Sequence, residues 1–348
     1  MEKKNILVIF GGRSPEHRVS LQSASGILSH MDREKYRPVP VGISREGRWY
    51  LSDASAEDIA EDRWLSPERC APACLSPDFG GKLFVSRQDG SEAIQVDAAF
   101  PVLHGKNGED GSVQGLLALA GIPVAGCGIL ASALCMDKDR AHKLAAAAGI
   151  SVPASFLLEQ GFHERDALNK ARSLGFPLFV KPLRAGSSFG ISRVTEPGAF
   201  TDAVYAALLY DTQVLVEKEV PGFEVGCAVM GRHTLMTGEP DEIELSGGFF
   251  DFQEKYGLIS SKIHVPARVS REKADQIKES AKKIYRALGC AGFARVDMFL
   301  TPAGEIIFNE VNTIPGFTPH SRFPAMMGAA GISFTKLIDL AIKEAEAE

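Results

Sequence analysis

The sequence predicts an α/β protein of two or three domains, and three observations carry that expectation. The chain opens on a short apolar run, Ile6-Leu7-Val8-Ile9-Phe10, that ends in Gly11-Gly12 and is followed by apolar residues at helical spacing from Val19 to Leu28. A buried parallel strand that enters a glycine loop and then a helix has this pattern. Near the other end, the runs Phe293 to Leu300 and Glu305 to Asn312 flank Thr301-Pro302-Ala303-Gly304, a hairpin signal. The length of 348 residues, with 45% apolar and 24% charged side chains, suits two or three ordinary globular domains with large cores.

The elements between follow in order. Arg37 to Ile43 is a second strand. Residues 52–92 are rich in Pro, Asp, Ser and Gly and predict loops with short elements. Ala98 to Leu103 is a strand, His104 to Gly111 a polar loop, Ser112 to Ala120 a helix and Ile122-Pro123-Val124 a further strand. Asp137 to Ala148 is a helix with basic residues along one side. Phe179-Val180-Lys181 is a strand that leads into Gly186-Ser187-Ser188-Phe189-Gly190, and Ile191 to Val194 is the next strand. Val214 to Glu219 opens the last region, and residues 270–288 form a charged amphipathic helix. These breaks divide the chain into 1–136, 137–216 and 217–348.

Composition excludes several classes. The net charge of −6 lacks the basic excess of a nucleic-acid binder. No apolar run approaches the roughly 20 residues that span a bilayer, and the N-terminal run is too short for a signal segment. A cytoplasmic protein is expected. Six cysteines without a disulfide-like framework suit a reducing compartment. Cys127, Cys135, Cys227 and Cys290 lie in apolar or Gly-rich surroundings, and Cys70 and Cys74 have no second pair to complete a zinc site.

The residues that carry chemistry gather in a few places. Small residues in the 186–190 loop let backbone N–H groups approach phosphate oxygens, although no Gly-Lys-Ser/Thr follows as in a Walker A loop. Lys181, in an apolar strand, needs an anionic partner, and a nucleotide phosphate would serve. Glu217-Lys218 and Glu224 follow a strand and suit either an adenosine or a solvated turn. His17 and His104 are candidate acid–base groups, and Phe249 to Tyr256 is a strand end or a lid. The hairpin is the sharpest feature. Arg295 and Asp297 share one face of a strand, Glu310 and Asn312 one face of the next, all amid apolar neighbours. Such polar groups must pair or bind a cation, and oxygen ligands without His or Cys indicate Mg²⁺. Both cross-strand pairs, Asp297 with Glu310 and Arg295 with Asn312, share a midpoint between Ala303 and Gly304. A two- or four-residue loop would set each pair opposite. A three-residue loop would put Asp297 on the wrong face unless a bulge restored it.

Taken in order, these motifs resemble the D-alanine–D-alanine ligase family of the ATP-grasp superfamily over nearly the whole chain. The resemblance rests on Gly11-Gly12-Arg13-Ser14-Pro15-Glu16-His17, His104-Gly105 with Gly108-Glu109-Asp110-Gly111, Met136-Asp137-Lys138, Lys181-Pro182, Gly186-Ser187-Ser188 and Glu217-Lys218. It continues through Lys255-Tyr256, Arg295-Val296-Asp297, Asn309-Glu310-Val311-Asn312-Thr313, Gly316-Phe317-Thr318 and Ser321. Within the family the chain is most similar to the VanG-type D-alanine–D-serine ligases of vancomycin resistance.

The resemblance implies a three-domain ATP-grasp architecture, with an N-terminal Rossmann-like parallel sheet and antiparallel sheets in the central and C-terminal domains. It implies ATP and two Mg²⁺ ions, with Mn²⁺ as a substitute, a D-alanyl phosphate, and a second substrate whose amine attacks it. Lys138, Lys181, Ser188, Glu217, Lys218, Glu224 and Asn309 would hold the nucleotide, and Asp297, Glu310 and Asn312 the metals. Arg295 and the Gly316 N–H would stabilise the oxyanion, and Glu16 would bind the first ammonium. Ser187, Lys255, Tyr256 and Ser321 would line the second-substrate site under a 249–262 lid. His104, Phe252 and Arg322 would contact substrate, and the donors of Arg322 favour D-serine over D-alanine. The alternatives are a D-alanine–D-alanine ligase of ordinary wall synthesis, another ATP-grasp carboxylate–amine ligase, and a nucleotide-binding regulator without turnover. A homodimer is expected. Arg18 departs from the acid that many members carry there.

Overall fold

The structure, a computed structural model, describes residues 3–87, 90–186, 189–245 and 261–347. The first sheet contains β1 (Lys4–Gly11), β2 (Tyr36–Ile43), β3 (Trp49–Ser52), β4 (Cys70–Leu75), β5 (Lys82–Arg87), β6 (Gly90–Gln95) and β7 (Ala98–Pro101) in the order β6-β5-β4-β3-β2-β1-β7. β1 pairs in parallel with both β2 and β7. Its side chains alternate between two cores: Ile6, Val8 and Phe10 enter one, Leu7 and Ile9 the other. Burial on both faces explains why this strand is a continuous apolar run. Helices α1 (His17–His30) and α2 (Ala56–Ala60) adjoin one another, and α3 (Ser112–Leu119) buries Val113 and Leu117 in the core that holds Leu7 and Ile9.

The expected loops of 52–92 are the main departure. They supply β4, β5 and β6, and the pairs β2/β3, β3/β4, β4/β5 and β5/β6 are antiparallel, so the first sheet is mixed. Only alternate residues such as Leu83 and Val85 are buried in β5, and β6 is almost wholly exposed. Half-exposed strands of six residues between turn-rich segments have little apolar signal to read.

Helix α4 (Ile129–Met136) leads through Asp137 into α5 (Lys138–Ala147), whose N-terminus is capped by the Asp137 carboxylate accepting from the Arg140 N–H at 3.0 Å. The second sheet is antiparallel, with β8 (Ser155–Glu159), β9 (Leu178–Pro182), β10 (Ser192–Val194) and β11 (Gln213–Lys218) in the order β10-β9-β11-β8. With α6 (Glu164–Leu174) and α7 (Phe200–Leu208) it forms its own core of residues between Leu158 and Val216.

The third sheet holds β12 (Phe223–Met230), β13 (Met236–Thr237), β14 (Asp241–Leu245), β15 (Ser261–His264), β16 (Phe293–Leu300) and β17 (Ile306–Asn312). Its main order is β15-β14-β12-β16-β17, all antiparallel, and α8 (Arg271–Ala287) packs Ile277, Ala281 and Ile284 against it. After α9 (Arg322–Ala329), α10 (Phe334–Glu346) returns to the first sheet. Its Leu337, Ile338, Ala341 and Ile342 join the core of Ile6, Val8 and Phe10, and Lys4 Nζ meets Glu346 Oε1 at 2.6 Å. No helix among the described residues is long and apolar enough to cross a membrane.

The hairpin turn differs from the expected loop. Thr301 N–H donates to Glu305 O at 2.9 Å and Gly304, with φ of +81°, donates to Thr301 O at 2.8 Å. The loop therefore holds three residues, Pro302 to Gly304. Pairing runs Leu300↔Ile306, Phe299↔Ile307 and Met298↔Phe308, then shifts to Asp297↔Glu310 and Arg295↔Asn312. Asn309 is the extra residue of a β-bulge, and that bulge restores the face which the three-residue loop would have lost.

Candidate active site

The hairpin brings its polar residues into one network. Arg295 lays its fork on Asp297, with Nε to Oδ1 at 2.8 Å and Nη2 to Oδ2 at 2.7 Å. Asn312 Nδ2 donates to Asp297 Oδ2 at 2.9 Å. Asp297 is buried, and Glu310 lies directly opposite it on β17. The donors offered at this face are carboxylate and amide oxygens, a set that fits a hard divalent cation. Asp297 and Glu310 are its two acids and Asn312 its amide; among the described residues no group of three His, Cys, Asp or Glu is gathered, at the hairpin or away from it.

Arg322 lies in the same network. Its Nε and Nη2 donate to Asp241 at 2.6 and 2.8 Å, its Nη1 donates to Glu224 at 2.9 Å, and Nη2 is 3.4 Å from Asp297 Oδ1. This corrects the expectation that its donors serve a substrate hydroxyl: they are turned to the buried Asp241 and the half-buried Glu224. Gly226 makes that possible, since a Cβ there would lie 2.5 Å from Arg322 Nη2 and 2.6 Å from Asp241 Oδ1. Asp241 and Gly226 were not singled out in the sequence. A glycine inside an apolar strand marks a close approach and was the available signal.

Two lysines belong to this region, one on α5 and one on the second sheet. Lys138, at the start of α5, donates to Ala185 O at 2.9 Å and lies 3.8 Å from Glu310 Oε2. Lys181 on β9 pairs with Glu217 on β11. Burial alone would raise the Glu217 carboxyl, but Lys181, His142 and Lys138 outweigh it and hold it below the ordinary value. Glu217 Oε1 is buried without a hydrogen-bond partner among the described residues. A buried orphan acceptor beside a lysine fits a nucleotide, whose exocyclic amine supplies a donor and whose phosphates take the cation. Lys218, next to Glu217 on β11, is exposed, and its N–H is held by Ala154 O at 2.9 Å. The Asn309 side chain sits on the bulge.

Glu16 occupies a tight corner between Gly105 and Gly186. A Cβ at Gly105 would lie 2.6 Å from its Oε2 and one at Gly186 would lie 2.9 Å away. Arg18, two residues on, is exposed. Nearby, residues of the first domain grip the loop that carries Gly316. His104 Nδ1 faces Ile314 O at 2.8 Å, and its Nε2 lies 3.1 Å from Ser23 Oγ, which also accepts from Phe317 N–H at 3.1 Å. Glu109 accepts from Gly105 N–H at 2.8 Å and from Ile314 N–H at 3.2 Å. Burial first, and then the neighbouring Glu16 charge, push the Glu109 carboxyl up to about 8. Burial lowers His104. With both ring nitrogens engaged and the neutral form favoured, His104 clamps a loop, which corrects its reading as an acid–base group. His17 likewise turns Nδ1 to Gly12 O at 2.7 Å.

Gly316 follows this clamp. A Cβ on it would lie 3.0 Å from Ser321 Oγ, and Ser321, which precedes α9, turns that oxygen to Thr318, with Thr318 Oγ1 at 2.8 Å, rather than to the helix N–H groups. Ser187, Ser188, Phe252, Lys255 and Tyr256 lie outside the described residues. Ser23, Glu109 and His142 were missed as site residues, because each lies in a helix or loop whose partner is more than 160 positions away.

Residues 5–127 match the sequence model described as D-ala D-ala ligase N-terminus, and residues 144–343 that of D-ala D-ala ligase C-terminus. The crystal structure of the VanG D-Ala:D-Ser ligase from Enterococcus faecalis superposes with a TM-score of 0.92 at 51% identity, covering 99% of this chain and 100% of that one. The vancomycin/teicoplanin A-type resistance protein VanA of Enterococcus faecium is 44% identical, covering 97% of each chain. A D-alanine–D-alanine ligase of Caldicellulosiruptor bescii is 42% identical, covering 97% of this chain and 94% of that one.

Proposed function

The chain belongs to the D-alanine–D-alanine ligase family, and from that footing we propose that it joins D-alanine to D-serine through a D-alanyl phosphate. It is an ATP-dependent ligase that uses a divalent metal, and its relatives act in wall synthesis and vancomycin resistance. The single observation that carries the D-serine assignment is the 51% identity, over 99% of the chain, to a solved D-Ala:D-Ser ligase. Arg322 does not support it, because its donors face Asp241 and Glu224.

The residues have distinct tasks in this reading. ATP supplies the phosphoryl group, and two Mg²⁺ ions, with Mn²⁺ as a substitute, offset its charge. Asp297, Glu310 and Asn312 hold the metals. Lys138 and Lys181 receive phosphates, Glu217 receives the adenine amine, and Ser188, Lys218, Glu224 and Asn309 complete the nucleotide site. Glu16 binds the first ammonium in the corner made by Gly105 and Gly186. Arg295 and the Gly316 N–H face the oxygen that gains charge as the second amine attacks. Ser187, Lys255, Tyr256, Phe252 and Ser321 orient that second substrate and exclude water.

Competition at equal concentrations of D-alanine and D-serine tests the assignment. Mass analysis of the products should find mainly D-Ala–D-Ser, and a product that is mainly D-Ala–D-Ala would overturn it. ADP release that needs no D-alanine would overturn the ligase reading as well.

We also propose a homodimer. Leu119 on α3 and Ile129 and Leu130 on α4 are large apolar residues exposed at 66%, 49% and 69% on adjoining helices, an arrangement that suits a self-complementary contact. Sedimentation at micromolar concentration should report twice the chain mass, and Leu130→Asp should halve it. A wild-type mass of one chain would sink the proposal.

A further inference from the structure

His142 lies one turn beyond Lys138 on α5 and is buried between two sheets. Its Nε2 is 2.7 Å from the carbonyl oxygen of Asn309, the bulged residue of β17. A carbonyl only accepts, so Nε2 is the donor. Its Nδ1 lies 3.4 Å from Glu217 Oε1 on β11, and Glu217 Oε2 pairs with Lys181. Neither His142 Nδ1 nor Glu217 Oε1 has a hydrogen-bond partner among the described residues. Both ring nitrogens therefore face acceptor oxygens. The ring also stands edge-on to Phe308 at 5.4 Å, on the other side of the bulge from Glu310.

We propose that His142 is a positioning residue that locks the Asn309 bulge, and through it the metal-side face of Glu310 and Asn312, to the Lys181–Glu217 pair. The bulge gives the observation its weight. The three-residue turn alone would carry Glu310 to the face opposite Asp297, and one extra residue, Asn309, reverses that. A bulged residue is left out of the ladder, and the Asn309 carbonyl finds its partner on α5. One imidazole thus ties the strand that presents the metal ligands to the strand that presents Glu217.

This inference rests on the ligase reading for its ligand, so its test reads binding rather than turnover. Calorimetry would compare ADP with Mg²⁺ and ADP in EDTA on the wild type, His142→Ala, His142→Asn and His142→Gln. The amide of Gln reaches the Asn309 carbonyl, whereas that of Asn falls short. Loss of a group that orients a metal ligand weakens metal affinity on the order of 10- to 100-fold. His142→Ala and His142→Asn should lose that much of the gain that Mg²⁺ brings to ADP binding, and His142→Gln should recover most of it. If His142→Ala does not fold, the contrast between Gln and Asn carries the same test. An unchanged Mg²⁺ gain in His142→Ala or His142→Asn, or a His142→Gln as weak as either, would overturn the proposal. Wild-type ADP release dependent on D-alanine tests the ligase reading separately.

Discussion

Glu310→Gln is expected to lower D-alanine-dependent ADP release by about 10³-fold or more, with little change in the unfolding midpoint. The side chain faces Asp297 across the hairpin and approaches Lys138 at 3.8 Å, and it is 22% exposed. A partly exposed pair at that distance adds little to stability, typically under about 1 kcal/mol. An amide of the same shape keeps the packing and removes the negative charge. A phosphoryl-transfer site depends on its metals to bridge and neutralise phosphate oxygens, and loss of one fixed electrostatic contact at such a site costs roughly 10²- to 10³-fold. Weakened metal occupancy deepens the loss at low Mg²⁺. The measurement is steady-state ADP release over a range of Mg²⁺ concentrations. A near-normal rate at limiting Mg²⁺ would remove Glu310 from the metal site.

Arg295→Lys should lower kcat by about 10²- to 10³-fold, while the KM for ATP moves far less. Arg295 meets Asp297 as a two-pronged fork, and a lysine provides one point of charge on a flexible stem. The charge remains, so Asp297 keeps a cation near it as well as Asn312 and the more distant Arg322. Folding should persist for that reason. What is lost is the planar fork that Asp297 holds in place, and in the proposed oxyanion role that fixed geometry matters most in the transition state. Equal falls in kcat and in ATP affinity would instead make Arg295 a nucleotide-binding group. An unchanged kcat would exclude the oxyanion role.

Much of the architecture was legible because burial writes a pattern into the chain. Ile6 to Phe10 is apolar on both faces, so it could be read without knowing its neighbours. Phe293–Leu300 and Asn309-Glu310-Val311-Asn312 stood out because charged groups amid apolar residues demand a partner. Strands β4 to β6 were illegible for the opposite reason: one face is exposed and the turns dominate their composition. His104 illustrates a different failure. Its sequence context, a Gly-rich polar loop, marked a cleft, but only the fold shows both ring nitrogens spent on Ile314 and Ser23.

The sequence by itself determined the class of the protein, the strands that carry the ionisable residues, and the pairing of Asp297 with Glu310. Those follow from local spacing, since side chains on a strand alternate whatever the rest of the chain does. The tertiary structure alone decided how that pairing is reached. Three residues in the turn and a bulge at Asn309 give the same cross-strand partners as the two- or four-residue loop that arithmetic favours, and no local pattern distinguishes these routes. It also decided where Arg322 points, because Asp241 and Glu224 come to it from strands 81 and 98 residues away. A carboxylate's attraction for a guanidinium depends on distance in space, and the sequence records only distance along the chain.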